Sequence, residues 1–224
     1  INFDDHPGQG SRYNGKIDEV KFYNYALSQN EVREKMHLIP NPATETGLIK
    51  YFQFNQYDAQ SGSLYDVKAN YNVAVPAANI VTSTAPVATG RVFRNPAVNA
   101  AGLNSFAAAD NNLYLPAAGP YPDGEVVAFH LFSNPDTKPD TRPNVKGYFI
   151  VNNYGNNSVF AQPDSIIFKS LNITYPGYRA GNFRLFSRAT GDFGNTWSAE
   201  MDSAVTLKYV SGNSSLTWGA NSHI

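Results

Sequence analysis

The sequence predicts an all-β chain with one short helix, ending in an antiparallel β-sandwich. Three observations predict it. Aromatics make up 13% of the 224 residues, with 14 Tyr and 14 Phe, while charged residues are only 16%. Aromatic and β-branched side chains suit a pleated, half-buried surface. From about residue 92 onward, short apolar runs alternate with Gly, Pro, Asn and Asp breaks, the pattern of strands joined by turns. Only one segment carries the chemistry of a helix start. A chain of this length holds one large or two small domains with a sizeable core.

The elements follow in order. Residues 1–12 (INFDDHPGQGSR) are polar and read as a loop or strand end. Gly15 to Tyr25 sets Ile17, Val20, Phe22 and Tyr25 among polar neighbours, an imperfect alternation whose β-formers predict a strand. Ser28 and Glu31 form a capping-box pair, in which each side chain satisfies the other's orphan backbone N–H. Leu27, Val32 and Met36 follow at helical spacing until Pro40 and Pro42, so a helix is predicted over 27–38. Gly47 to Asn55 (GLIKYFQFN) predicts another strand. A softer stretch follows to about residue 93, and Pro86, Gly90 and Asn95-Pro96 mark a boundary there.

Beyond it, strands are predicted at Asn112–Pro116, Glu125–Phe132, Lys146–Asn152, Ser165–Phe168, Phe183–Ser187, Ala204–Val210 and Ser215–Trp218. A sandwich is the expected arrangement, and closure into a barrel is the alternative that periodicity leaves open. The expected division is 1–45, then a connecting strand and linker over 46–91, then a sandwich module over 92–224.

A net charge of -1 gives no electrostatic reason to expect nucleic acid or an anionic membrane as partner. No apolar run is long enough to insert in a membrane. With no cysteine there is neither a disulfide framework nor a thiolate metal site, a composition compatible with an oxidising exterior. The chain opens at Ile1 in what reads as mid-domain sequence and stops at Ile224 without a sorting segment, so a fragment of a longer protein is expected.

Asn14 to Ser28 (NGKIDEVKFYNYALS), followed by Glu31, resembles the closing signature of laminin-G-like, concanavalin A-type jelly rolls. The match covers about the last fifth of such a domain. Gly47 to Asn55 resembles a strand that follows or opens those units. Val81 to Val87 and Tyr148 to Gly155 are similar to a β-rich module of long surface or secreted proteins of Bacteroidetes-type bacteria, many of them type IX secretion cargo. The resemblance implies the end of a jelly roll followed by a sandwich, in an extracellular, cell-surface protein. It implies a non-catalytic adhesion module for glycans, extracellular matrix or surface proteins. Two other readings stay open. One is an ancillary module of a secreted polysaccharide-degrading enzyme. The other is a structural spacer, or a partner of an outer-membrane or secretion complex.

Candidate site residues divide by chemistry. Laminin-G-like domains often hold Ca2+ in carboxylate and carbonyl oxygens, and the resemblance assigns Asp18 to such a site. Asp4 and Asp5 are local candidates, and the alternative for Asp18 is a hydrogen bond to a neighbouring loop. Asn134 to Asn144 (NPDTKPDTRPN) sets Asp136 and Asp140 four apart and reads either as a cation cup or as a proline-stiffened hairpin loop. For carbohydrate, an aromatic platform beside amides is needed. Tyr154 with Asn152, Asn153, Asn156 and Asn157 is one such cluster, and Trp197 with Asp192 and Asn195 is another. Their alternative is ordinary core or turn packing.

Asp164-Ser165-Ile166 and Asp202-Ser203-Ala204 resemble the O-glycosylation pattern of those bacteria, giving Ser165 and Ser203 as acceptors; Asp-Ser is also ordinary turn chemistry. The sequons at Asn156, Asn172 and Asn213 read as accidental in a bacterial protein. No nucleophile elbow, P-loop or dinucleotide fingerprint is present. His6, His37, His130 and His223 are scattered, and adjacent Asp18 and Glu19 would point to opposite faces of a strand. The reading is therefore non-catalytic.

Overall fold

The computed structural model describes residues 15–58, 61–74, 83–139, 147–157, 165–171, 173, 179–188, 197–201, 206–210 and 213–219. The chain is all-β, built from antiparallel sheets with one short α-helix. It forms two compact units, one from 1–26 and 41–83 and the other from 27–40 and 84–224. The sequence reading drew its boundaries at 45 and 92. The chain instead crosses between units on either side of the helical segment, because a capping box and two prolines delimit a helix without saying what it packs on.

The smaller unit is a four-stranded antiparallel sheet in the order β1 (Val20–Tyr23), β2 (Leu48–Asp58), β3 (Ser63–Asp66) and β4 (Tyr71–Ala74). Three of its strands, β2 to β4, thus fall within 46–91. Asp66, fully buried, ties the sheet to its last turn: its Oδ1 accepts from the backbone N–H of Tyr51 (3.1 Å), Lys68 (3.0 Å) and Ala69 (3.0 Å). A carboxylate doing this satisfies donors that a tight turn would otherwise orphan.

The larger unit begins with the helix α1 (Gln29–Lys35), shorter than the predicted 27–38 but started by the expected box. Ser28 Oγ accepts from Glu31 N at 3.3 Å, and Glu31 Oε2 accepts from Ser28 N at 2.8 Å. Val32 and Met36 are 47% and 48% exposed and no residue of the helix is buried. The charged side meets the sheet instead. Arg33 and Arg94 both bond Glu125, at 2.9 and 2.7 Å, and Arg94 also reaches Glu34 at 3.1 Å. Burial opposes ionisation of Glu125, and the bonds from Arg94 and Arg33 outweigh it, so its carboxyl stays below its ordinary value.

Two sheets form the body of this unit. One orders β5 (Gly90–Val98), β8 (Gly124–Leu131) and β9 (Tyr148–Asn153). The other includes β6 (Gly102–Phe106), β7 (Asn111–Leu115), β10 (Ser165–Phe168), β13 (Thr206–Val210) and β14 (Asn213–Gly219), in the order β13-β14-β10-β7-β6. A separate hairpin pairs β11 (Leu185–Ser187) with β12 (Ser198–Met201). Val126 and Ala128 of β8 pack with Val98, Phe106, Leu113 and Leu115 in the sandwich core. Val127, Phe129 and Leu131 face the other way, under Ala88 and Leu38. The continuous apolar run Val126 to Phe129 of β8 is what a strand buried on both faces requires. Pro96, read from sequence as a break, sits instead at a bulge of β5, an edge strand where a missing N–H is tolerated.

Gly147 precedes β9 with φ +105°, and a Cβ there would lie 2.7 Å from the backbone oxygen of Leu131 and 3.0 Å from His130 Nε2. Both the left-handed φ and the backbone contact demand glycine. Gly147→Ala is expected to lower the unfolding free energy of this unit by about 2 kcal/mol in urea titration.

Candidate functional site

Asp18, the residue assigned to calcium by resemblance, lies just before β1. Its Oδ1 accepts from Glu19 N at 2.9 Å, steadying Glu19 at φ 52°. The left-handed residue replaces the expected strand alternation there, and β1 starts only at Val20. Glu19 in turn bonds the hydroxyl of buried Tyr51, which also accepts from Gln53 Nε2 at 3.2 Å. Burial raises the Glu19 carboxyl above its ordinary value, against the Tyr51 bond and with the adjacent Asp18 charge. No group of three or more His, Asp or Glu comes together among the described residues. Calcium needs six to eight oxygens, so the described residues alone do not make its site. Asp4 and Asp5 lie outside the described residues.

The Asn152–Asn157 cluster is used internally. Tyr154 carries the Arg33 guanidinium 4.1 Å above its ring and donates its hydroxyl to Met36 Sδ at 3.1 Å. Asn152 is buried, with Nδ2 3.2 Å from His37 Nε2. Asn153 caps Gly155 N at 2.9 Å and donates to Asn157 O at 2.7 Å. Asn157 bonds Asp123 Oδ1 and Tyr121 O, each at 2.7 Å. Only Asn156 of the nominated set is exposed. Tyr154 and Asn152 hold the helical segment to the sheet, the packing role that stood as the alternative to a glycan platform.

Ser165 is fully buried in β10, between Tyr114 of β7 and Gly219 of β14, and its hydroxyl has no partner. A central strand position leaves no room for a glycan, although the local Asp-Ser-apolar pattern reads as an accessible turn. Ser203 lies outside the described residues, as do Asp140, Asp192, Asn195, Asn172, His6 and His223.

His130 is part of a buried charge network. Its Nδ1 bonds Asp110 Oδ2 at 2.9 Å, and Asp110 also accepts from Arg91 Nη1 (3.0 and 2.8 Å) and Ser170 Oγ (2.9 Å). A carboxylate only accepts, so Nδ1 carries the proton and Nε2 presents a lone pair. That atom is buried with no partner, in a ring stacked on Phe149 at 4.3 Å. Burial holds the imidazole below its ordinary pKa, against the Asp110 bond. Acyl-transfer chemistry needs the serine on the histidine, but Ser170 bonds the aspartate instead.

Trp197 and the 134–139 segment, nominated separately, do come together. Trp197 Nε1 donates to Thr137 O at 2.7 Å. The Arg188 guanidinium lies 4.6 Å from the indole centroid and donates to Asp136 Oδ1 at 2.8 Å. Burial opposes the charge on Asp136, and the Arg188 bond, with the Thr137 backbone, outweighs it, leaving the carboxyl below its ordinary value. Tyr148 is close enough to feel both charges, and burial pushes its phenol up to about 12. An indole of fixed orientation, a guanidinium, a carboxylate and a protonated phenol are thus gathered at one corner. Asp136 is an arginine partner here, and Asp140, the other carboxylate of the suggested cation cup, lies outside the described residues. Sequence reasoning missed Arg188, since an isolated arginine after a short strand carries no local signal. No protein-family model, curated protein or solved structure matches this chain.

Proposed function

We propose that the chain is a non-catalytic binding module of a larger secreted, cell-surface protein, of the laminin-G-like adhesin kind, and that its carbohydrate contact lies at Trp197. The observation that carries this reading is the Trp197–Arg188–Asp136 arrangement. The half-buried indole, held in orientation by Thr137 and Arg188, is the group offered to a sugar ring; the Arg188 and Asp136 side chains are only 8% and 15% exposed and serve to hold it in place. The Asp110–His130–Ser170 geometry supports the non-catalytic part, since Ser170 bonds the aspartate and, among the described residues, no hydroxyl bonds the histidine lone pair.

The test is a glycan array followed by calorimetry on any hit. Trp197→Ala is expected to weaken binding about tenfold, near the upper end of what an aromatic contact contributes. Circular dichroism would check that the variant is folded. A hit whose affinity is unchanged in a folded Trp197→Ala protein moves the site elsewhere, and an array without hits favours the structural-spacer reading.

A further inference from the structure

His37 follows α1 and is only 5% exposed. Its Nδ1 lies 3.1 Å from the Pro86 carbonyl, which can only accept, so Nδ1 carries the proton. Its Nε2 is then a bare acceptor, filled by the Asn152 amide at 3.2 Å. The ring stands edge-on to Phe129 at 4.9 Å. Around it the backbone closes a latch: Ile39 N donates to Ala88 O at 2.9 Å and Ala88 N to His37 O at 3.2 Å. One neutral imidazole therefore joins three pieces of the larger unit, namely the end of the helical segment, residues 84–88 and strand β9.

We propose that His37 is an acid-sensitive latch, whose protonation opens residues 36–40 and 84–88 from the face of β8 and β9. A second proton on Nε2 would meet the donor face of the Asn152 amide, so the amide must turn over before the contact can reform. The cation would still sit against Phe129 with no counter-charge among the described residues. The charged and titratable groups on the packed elements include Glu31, Arg33, Glu34 and Lys35 on α1, Glu125 and His130 on β8, and Arg91 and Arg94 on β5; Arg91 and His130 bond Asp110. Arg33, Glu34, Glu125 and Arg94 bond one another rather than the imidazole, and no charged group is among the influences on His37. The same ion cluster holds the helix body, so opening is confined to the latch.

The sign follows from linkage. Burial keeps the folded pKa below the ordinary 6.5, against the Pro86 bond. The opened state takes up the proton first, so closure is fully favoured above about 6.5 and is lost as pH falls toward the folded value. His130 is depressed in the same direction and would weaken the unit as a whole, so strand amides must be followed alongside the latch.

Hydrogen–deuterium exchange of the full chain, corrected for intrinsic rates, reads this directly. Between about pH 7.5 and pH 5, protection of Ile39 and Ala88, whose N–H groups make the latch bonds, should fall on the order of tenfold, roughly the worth of one buried hydrogen bond. The β8 amides should fall much less, and His37→Gln should remove the pH dependence at the latch. Equal loss across latch and β8, or a pH-dependent latch that survives in His37→Gln, overturns the proposal. Should that variant not fold, the His37 ring resonance of the native chain decides. A titration midpoint below 6.5 that coincides with loss of Ile39 protection supports the latch. A midpoint at the ordinary value, with Ile39 still protected, overturns it.

Discussion

Phe129→Ala lowers the unfolding free energy of the larger unit by about 3–5 kcal/mol, the range for truncating a fully buried aromatic. Phe129 is 0% exposed at the middle of β8, on the face covered by Ala88 and Leu38 and flanked by Val127 and Leu131. Truncation opens a cavity beneath 84–88 and also removes the ring against which His37 stands. Phe129→Leu keeps most of the volume and should cost clearly less. Urea unfolding monitored by circular dichroism measures both. A Phe129→Ala loss below about 1 kcal/mol would show that the helical segment and residues 84–88 do not cover this face in solution.

Asp110→Ala removes about 3 kcal/mol from the same unit, by stranding buried donors rather than by leaving a cavity. Asp110 is 6% exposed and His130 2%. Without the carboxylate, the His130 Nδ1–H loses its acceptor inside the sandwich, and the Ser170 hydroxyl loses its own. Arg91 contributes less, because its side chain is 52% exposed and can turn to water. Asp110→Asn retains a carbonyl that can accept from His130 and should fall between the wild type and Asp110→Ala. Equal stability of all three proteins would contradict a structural role for the network.

Much of the local architecture was legible in the sequence. The Ser28–Glu31 box started a helix because its two reciprocal bonds involve residues three apart. The run Val126 to Leu131 formed a strand because its β-formers allow little else, and its lack of alternation already fitted burial on both faces. Polar or short strands escaped, among them β4 (Tyr71–Ala74) and β6 (Gly102–Phe106). Their pairing partners, not their own composition, keep them extended.

The candidate site was less legible. Trp197 and Asp136 were each visible as chemistry, but Arg188 joins them from 52 positions beyond Asp136. Tyr154 and Asn152 looked like a ligand surface until the helical segment, more than a hundred residues earlier, was found to use them. Ser165, in a strand that the sequence predicts, looked like a glycan acceptor until the strands on either side were seen to bury it.

By itself, then, the sequence determined what depends on neighbours along the chain: the all-β class, the helix cap, the doubly buried strand and the chemical types available for binding. Only the tertiary structure decided which face of α1 meets the sheet. Periodicity sets Leu27, Val32 and Met36 on one side, but Glu125 and Arg94 on the strands offered charged partners, so Arg33 and Glu34 bond the sheet while Val32 and Met36 stay exposed. Periodicity shows that a helix has two unlike faces. Which of them is buried depends on the surface it meets, and that surface is built from residues far away in the sequence.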